Sequence, residues 1–227
     1  MTPPTYPHPC TLRHRARVGA AAALLGLLAA LALSVAAAAD AEQEITGERI
    51  YAFCVGCHGQ RGEGSSDGRV PRLAGRPQAY LARQLQAFRD GVRINKPMVP
   101  IFTHQRFDEE VINVVAAHIA AMSPPPLRLW PYEPNPAALA AFDDRAAYDA
   151  AGEETYASAC AECHGADAAG SAEHDTPPLV GQYPAYLVKQ VADFGRGERK
   201  HAASERCGGI TPAQADAVVS HIVELGK

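Results

Sequence analysis

The chain has 227 residues, room for one large domain or two small ones, and 47% of them are apolar. Its formal net charge is −4 and no basic patch gathers anywhere, which excludes a nucleic-acid binder. Alanine is abundant and only 7% of the residues are aromatic, a balance that leans helical.

Residues 1–39 read as a targeting segment. Arg13, Arg15 and Arg17 form a basic start, "VGAAAALLGLLAALALSVAAAA" is the apolar core, and the alanines before Asp40 suit a signal peptidase. The expectation is export with cleavage; the length of the apolar run makes an uncleaved membrane anchor the alternative. Cys10 precedes the core, where a lipid-bearing cysteine would not sit, and leaves with the segment. What remains carries 18 Lys and Arg against 25 Asp and Glu.

Beyond the segment the predicted elements are short helices between loops. The first runs from about Glu44 into Cys54 and ends on "CVGCHG" (54–59). A Gly- and Pro-rich stretch (59–77) follows, then a helix from about Gln78, then the loop "INKPMVPIF". The next helix starts after Phe107, with Val111, Val114, Val115, His118 and Ile119 at helical spacing. "SPPPLRLWPYEPNPAALAAFDDRA" (123–146) holds six prolines, which argue against a regular helix and for a stiff extended linker. Trp130 and Tyr132 are expected to pack this linker onto a domain. After it, a helix from about Tyr148 leads into "CAECHG" (160–165), a second loop-rich stretch covers 165–184, and a helix opens near Pro184. The last helix opens at "TPAQ" (211–214), with a threonine cap, proline in the first turn and Gln three residues on.

The second half repeats the first. Set Cys54 on Cys160, and Cys57 meets Cys163, His58 meets His164, Pro71 meets Pro177 and Gly75 meets Gly181. "AYLARQLQAF" (79–88) meets "AYLVKQVADF" (185–194), and Arg93 meets Arg199, all at an offset of 106. Near the end the offset falls to 103, where His118 meets His221. Two tandem domains, 40–122 and 147–227 joined by 123–146, account for this.

Each C-x-x-C-H unit points to one covalently attached haem c. Cysteines three apart share one face of a helical turn, so both sulfurs reach one porphyrin edge, and the adjacent His meets the iron. A zinc site would want its two C-x-x-C units some 15–20 residues apart, and a thioredoxin-like motif needs a βαβ setting. Neither is present in the sequence. Cys54, Cys57, Cys160 and Cys163 are therefore expected to hold two haems, with His58 and His164 as iron ligands.

"PRLAGRPQAYLARQLQAFRDGVR" and "PPLVGQYPAYLVKQVADFGRGER" resemble the P-x-L-x-G-Q-x-x-x-Y-L-x-x-Q-L-x-x-F-x-x-G-x-R signature of the dihaem cytochrome c4 family. The likeness spans essentially all of the chain after residue 39. It implies an all-α fold of two tandem class I cytochrome c domains, each a few short helices wrapped around one haem. It implies that the Pro71 and Pro177 carbonyls take the ring N–H of His58 and His164. It makes His118 and His221 helix-crossing core residues rather than ligands.

The sixth iron ligand is where the halves differ. Met98 lies in the loop before the last helix of the first half, where class I cytochromes place a methionine. The second half has no methionine. At offset 103 Met98 falls on His201, the leading candidate; Cys207 is the second, and an open iron the third. Replacing thioether by imidazole lowers a haem potential, so the second haem is expected to be the lower one. Residues 40–122 carry no net charge and residues 145–227 carry −5, a split that a partner's field can orient.

The reading is a periplasmic dihaem carrier of single electrons, not an enzyme. Its partners are expected to be redox proteins: a terminal oxidase, a reductase or a dehydrogenase. The alternative is a dihaem oxidoreductase or its electron-accepting subunit, like a thiosulfate dehydrogenase or a peroxidase, using a Cys-ligated or open second haem.

Overall fold

The computed structural model describes residues 45–65, 67–104, 106–123, 125–127, 129, 131–171, 173–201 and 209–227. The targeting segment, Trp130 and Cys207 lie outside the described residues. Among them every regular element is a helix, apart from a single bridge between Ser171 and Thr176.

The first half opens with α1 (Gly47–Tyr51), capped by Thr46, whose hydroxyl accepts from the Arg49 N–H at 3.3 Å. Helix α2 (Val55–His58) carries the first C-x-x-C-H unit. The helix expected to run into Cys54 ends at Tyr51, and a turn through Cys54 leads into α2. Helix α3 (Gln78–Arg89) follows, then α4 (Val99–His104), directly after Met98. The sequence reading treats this stretch as a loop; Pro100 stands in the first turn of α4, where its missing N–H costs nothing. Asp108 caps α5 (Glu109–Ala120), its carboxylate accepting from Val111 N at 2.9 Å.

The linker is not extended throughout. Asn135 caps a short α6 (Pro136–Leu139), in which proline stands at the first position and starts the helix rather than breaking it. Helix α7 (Arg145–Ala159), capped by Asp144, begins two residues before the linker was expected to end. The second half continues with α8 (Ala161–His164), α9 (Pro184–Gly195) and α10 (Pro212–Leu225). Thr211 and Gln214 form the reciprocal capping box that "TPAQ" announces.

Each half packs its first and middle helices on its last: α1 and α3 on α5, then α7 and α9 on α10. Tyr51, Leu81, Phe107, Ile112, Val115 and Ile119 fill the first core. Tyr156, Leu187, Val218, Val219 and Ile222 fill the second. The helices cross where a side chain is missing. A Cβ on Gly47 would fall 2.3 Å from that of His118, and one on Gly152 would fall 2.3 Å from the Ala217 carbonyl oxygen. At these crossings His118 lies against Tyr51, with ring centroids 5.8 Å apart, and His221 against Tyr156 at 5.4 Å.

The linker is strapped to the second half. Tyr132 OH and Tyr148 OH each donate to the buried Asp216 carboxylate at 2.7 Å, and Asn135 N donates to it at 3.2 Å. Leu127 and Leu129 line a cavity of about 370 Å³ with Leu179, Ile222 and Val223.

Candidate functional site

Helix α2 brings Cys54, Cys57 and His58 onto one turn. His58 N donates to Cys54 O at 2.9 Å and Cys57 N to Cys54 O at 3.2 Å; in the second copy the distances are 3.0 and 3.2 Å. Each turn stops at a left-handed glycine, Gly59 at φ 78° and Gly165 at φ 81°, a conformation that spares glycine the clash a Cβ would cause. Tyr51 OH donates to Gly59 O at 2.6 Å and Tyr156 OH to Gly165 O at 2.5 Å, which fastens each motif to the helix before it.

None of the four motif cysteines forms a disulfide. In each pair the first is half-buried and the second exposed. Burial, with a smaller push from Cys57, raises the Cys54 thiol to about 11, so it keeps its proton at neutral pH.

Both motif histidines are buried and point their rings inward. The Nδ1 of His58 lies 3.0 Å from the Pro71 carbonyl, and that of His164 lies 3.1 Å from the Pro177 carbonyl. A carbonyl only accepts, so Nδ1 carries the proton and Nε2 offers a lone pair. Burial also lowers both histidines below their ordinary pKa, against the opposing pull of the proline carbonyls. Each ring is thus held neutral and in the tautomer that a metal accepts.

Across from His164 stands His201, with ring centroids 6.2 Å apart and planes inclined at 38°. Burial, then the nearby Arg199 charge, lowers the His201 pKa as well. Met98 is half-buried in the turn that opens α4, its N–H donating to Asn95 O at 2.8 Å.

The two halves meet along a seam built by the same residues from each side. Arg93 donates to its own Gln84 at 2.9 Å, and across the seam to Tyr186 OH and Gln190 Oε1, both at 3.0 Å. Arg199 donates to its own Gln190 at 2.6 Å, and across to Tyr80 OH at 3.0 Å and Gln84 Oε1 at 2.8 Å. Each arginine also stacks on a phenylalanine of its own half, Arg93 over Phe88 at 4.5 Å and Arg199 over Phe194 at 4.7 Å.

Farther out, Gln182 grips the Arg72 backbone, accepting from its N–H at 3.0 Å and donating to its carbonyl at 2.9 Å. Arg76, at the register position of Gln182, donates instead to the Pro178 and Gly181 carbonyls. Arg83 bridges to Asp175 at 3.0 Å. Sequence reasoning quoted Tyr80, Gln84 and Arg93 within a repeated string without giving them a place. Their recurrence as Tyr186, Gln190 and Arg199 at offset 106 was the available signal.

Residues 45–123 match the family "Cytochrome c", and residues 147–222 match "Cytochrome C oxidase, cbb3-type, subunit III". The chain is 32% identical over 206 residues to a thiosulfate dehydrogenase electron acceptor of Stutzerimonas stutzeri, covering 87% of this chain and 90% of that one. It is 30% identical to cytochrome c4 of Pseudomonas aeruginosa over 176 residues, 78% of this chain and 82% of the relative. The chain belongs to the cytochrome c4 family. The crystal structure of reduced cytochrome c4 from Pseudomonas stutzeri shares the fold at a TM-score of 0.61 and 23% identity, with 78% of this chain and 95% of that one superposed.

Membership makes the fold two tandem class I cytochrome c domains, as expected, and implies covalently bound haem c. The side chains fit that group. Two imidazoles on opposite sides of one metal ion, each at about 2 Å from it, would place their ring centroids roughly 6 Å apart, and His164 and His201 stand 6.2 Å apart. The seam fits it too. Arg93 and Arg199 meet only neutral acceptors among the described residues, and the buried Arg76 Nε has no hydrogen-bond partner there. Cations withdrawn from solvent in this way, Arg76 and Arg199 fully and Arg93 in part, suit the carboxylates that a haem carries.

Proposed function

We propose that the chain is a periplasmic dihaem cytochrome that passes single electrons between redox proteins. Its domains are 40–122 and 147–227. Cys54 and Cys57 would hold the first haem, and His58 and Met98 its iron. Cys160 and Cys163 would hold the second, and His164 and His201 its iron. Iron supplies the redox chemistry; the chain supplies ligands, dry pockets and docking surfaces.

The observation that carries this reading is the pairing of His164 with His201 at 6.2 Å. Held on both sides by these side chains, an iron would exchange electrons and leave no place for a substrate. That favours a carrier over the oxidoreductase alternative, in which Cys207 or an open position would serve the second iron. Relatives that accept electrons from thiosulfate dehydrogenase support a dehydrogenase as electron donor. A terminal oxidase or reductase then takes the electron onward.

The test is a redox titration of the haem-loaded chain beside low-temperature EPR of wild type and His201→Ala. Two separated waves are expected, the lower from the second haem, because imidazole in place of thioether favours ferric iron. Wild type should show one His/Met and one His/His low-spin haem, and the variant should lose the second. Superposed waves, or an EPR spectrum unchanged by His201→Ala, would overturn the assignment.

A further inference from the structure

We infer that Phe194 and Arg199 are positioning residues for His201, and that the first half holds them in place across the seam. The inference rests on His201 being a ligand of the second haem.

The ring of His164 is aimed by the Pro177 carbonyl at 3.1 Å. The ring of His201 meets Phe194 edge-on, with centroids 4.7 Å apart and planes at 76°. An edge-to-face contact is one of the arrangements that ring quadrupoles favour, so it biases the orientation of the imidazole. Phe194 is in turn clamped by the Arg199 guanidinium, 4.7 Å from its centroid.

Arg199 is itself buried, and two of its bonds come from the first half, to Tyr80 OH at 3.0 Å and Gln84 Oε1 at 2.8 Å. A continuous stack therefore runs from the first half through Arg199 and Phe194 to His201. Docking of the halves and orientation of the ligand become one event.

The first half contains the same clamp with a different load. Arg93 lies over Phe88 at 4.5 Å, but Phe88 stacks on Phe102, with centroids 5.7 Å apart, and Phe102 on Phe107. There the clamp supports a hydrophobic core; in the second half it supports a histidine. Phe88→Leu is consequently a matched control for Phe194→Leu.

The experiment uses the full chain loaded with haem. Two signals are read: the largest EPR g value of the ferric second haem, which reports the angle between its imidazole planes, and the rate at which carbon monoxide binds the ferrous protein. Phe194→Leu should shift the g value and speed carbon monoxide binding by about two- to thirteen-fold, the factor an ordinary ring–ring contact contributes. Phe194→Tyr, which keeps the ring, should restore both, and Phe88→Leu should leave the second haem as in wild type.

Tyr80→Phe removes one hydroxyl of the first half and should move the same signals in the same direction by less. Wild-type signals in Phe194→Leu overturn the inference while leaving His201 as ligand. Signals moved by Phe194→Leu but not by Tyr80→Phe overturn the part assigned to the first half. If Phe194→Leu does not fold, Tyr80→Phe with unmoved signals decides against the inference. Failure of the ligand assignment shows separately, as an EPR spectrum indifferent to His201→Ala.

Discussion

Asp216 offers the cleanest test of how the linker is held. Its carboxylate is buried on α10 and accepts the hydroxyls of Tyr132 and Tyr148, both at 2.7 Å, and the Asn135 N–H at 3.2 Å. A hydrogen bond to a charged group is worth roughly 1.5–3 kcal/mol. Asp216→Ala removes three, but it also removes the cost of burying a carboxylate, which offsets part of the loss. The net expectation is about 2–4 kcal/mol of stability lost. At about 2–4 °C per kcal/mol for a chain of this size, the thermal midpoint falls by roughly 4–16 °C. Tyr132→Phe breaks one bond and costs about 1–2 kcal/mol. Asn113→Ala is the control: Asn113 occupies the same register in the first half, is exposed, and should move stability by no more than about 0.5 kcal/mol. Melts followed by circular dichroism give the midpoints, and trypsin cleavage after Arg128 reports linker release. If Asp216→Ala melted like wild type or like Asn113→Ala, the strap would not hold the linker.

Two further outcomes follow from geometry and titration. Gly152→Ala gains roughly 1 kcal/mol of helix propensity, yet its Cβ would fall 2.3 Å from the Ala217 carbonyl oxygen. Overpacking of that kind costs about 1–3 kcal/mol, so the variant should unfold at lower urea, and a stabilised one would refute the close crossing of α7 and α10. Burial, then the bond to Asp216, raises Tyr132 and Tyr148 above the ordinary tyrosine value of about 10. The folded chain thus holds those protons more tightly than the unfolded one. Their contribution is full below pH 10 and is lost as pH rises beyond it. Melting midpoints should drop between pH 10 and 11, and less steeply in Tyr132→Phe; a flat profile would contradict the arrangement.

Much of the fold can be read from residue order because the signals are local. The two C-x-x-C-H units, the starts of α3 and α9, and the Thr211 capping box each depend on neighbours within a turn or two. The crossing histidines, His118 and His221, could be read from the duplication and the family resemblance together. What the sequence hid depends on position in space or on ambiguous letters. Proline marks a helix start as readily as a break, so α6 is hidden inside a proline-rich linker. Asp216 has no counterpart in the first half, and its partners lie 68 and 84 residues away. Tyr80, Gln84 and Arg93 gain meaning only when the second half stands opposite the first and each arginine finds the other half's glutamine.

That opposition also explains where the duplication breaks register. The offset of 106 holds through every seam residue, from Arg76 and Gln182 to Arg93 and Arg199, and falls to 103 only beyond Arg199. A seam in which each side grips the other with the same side chains demands equal spacing on both sides. Losing a residue between Tyr186 and Arg199 would pull Arg199 away from Gln84 and Tyr80, which it holds at 2.8 and 3.0 Å. The seam bonds described on the second half end at Arg199, and the equal spacing they demand ends with them. There the offset falls by three, and the second half has no methionine to match Met98. The seam holds the two halves together through matched side chains, and equal spacing is kept where those side chains stand.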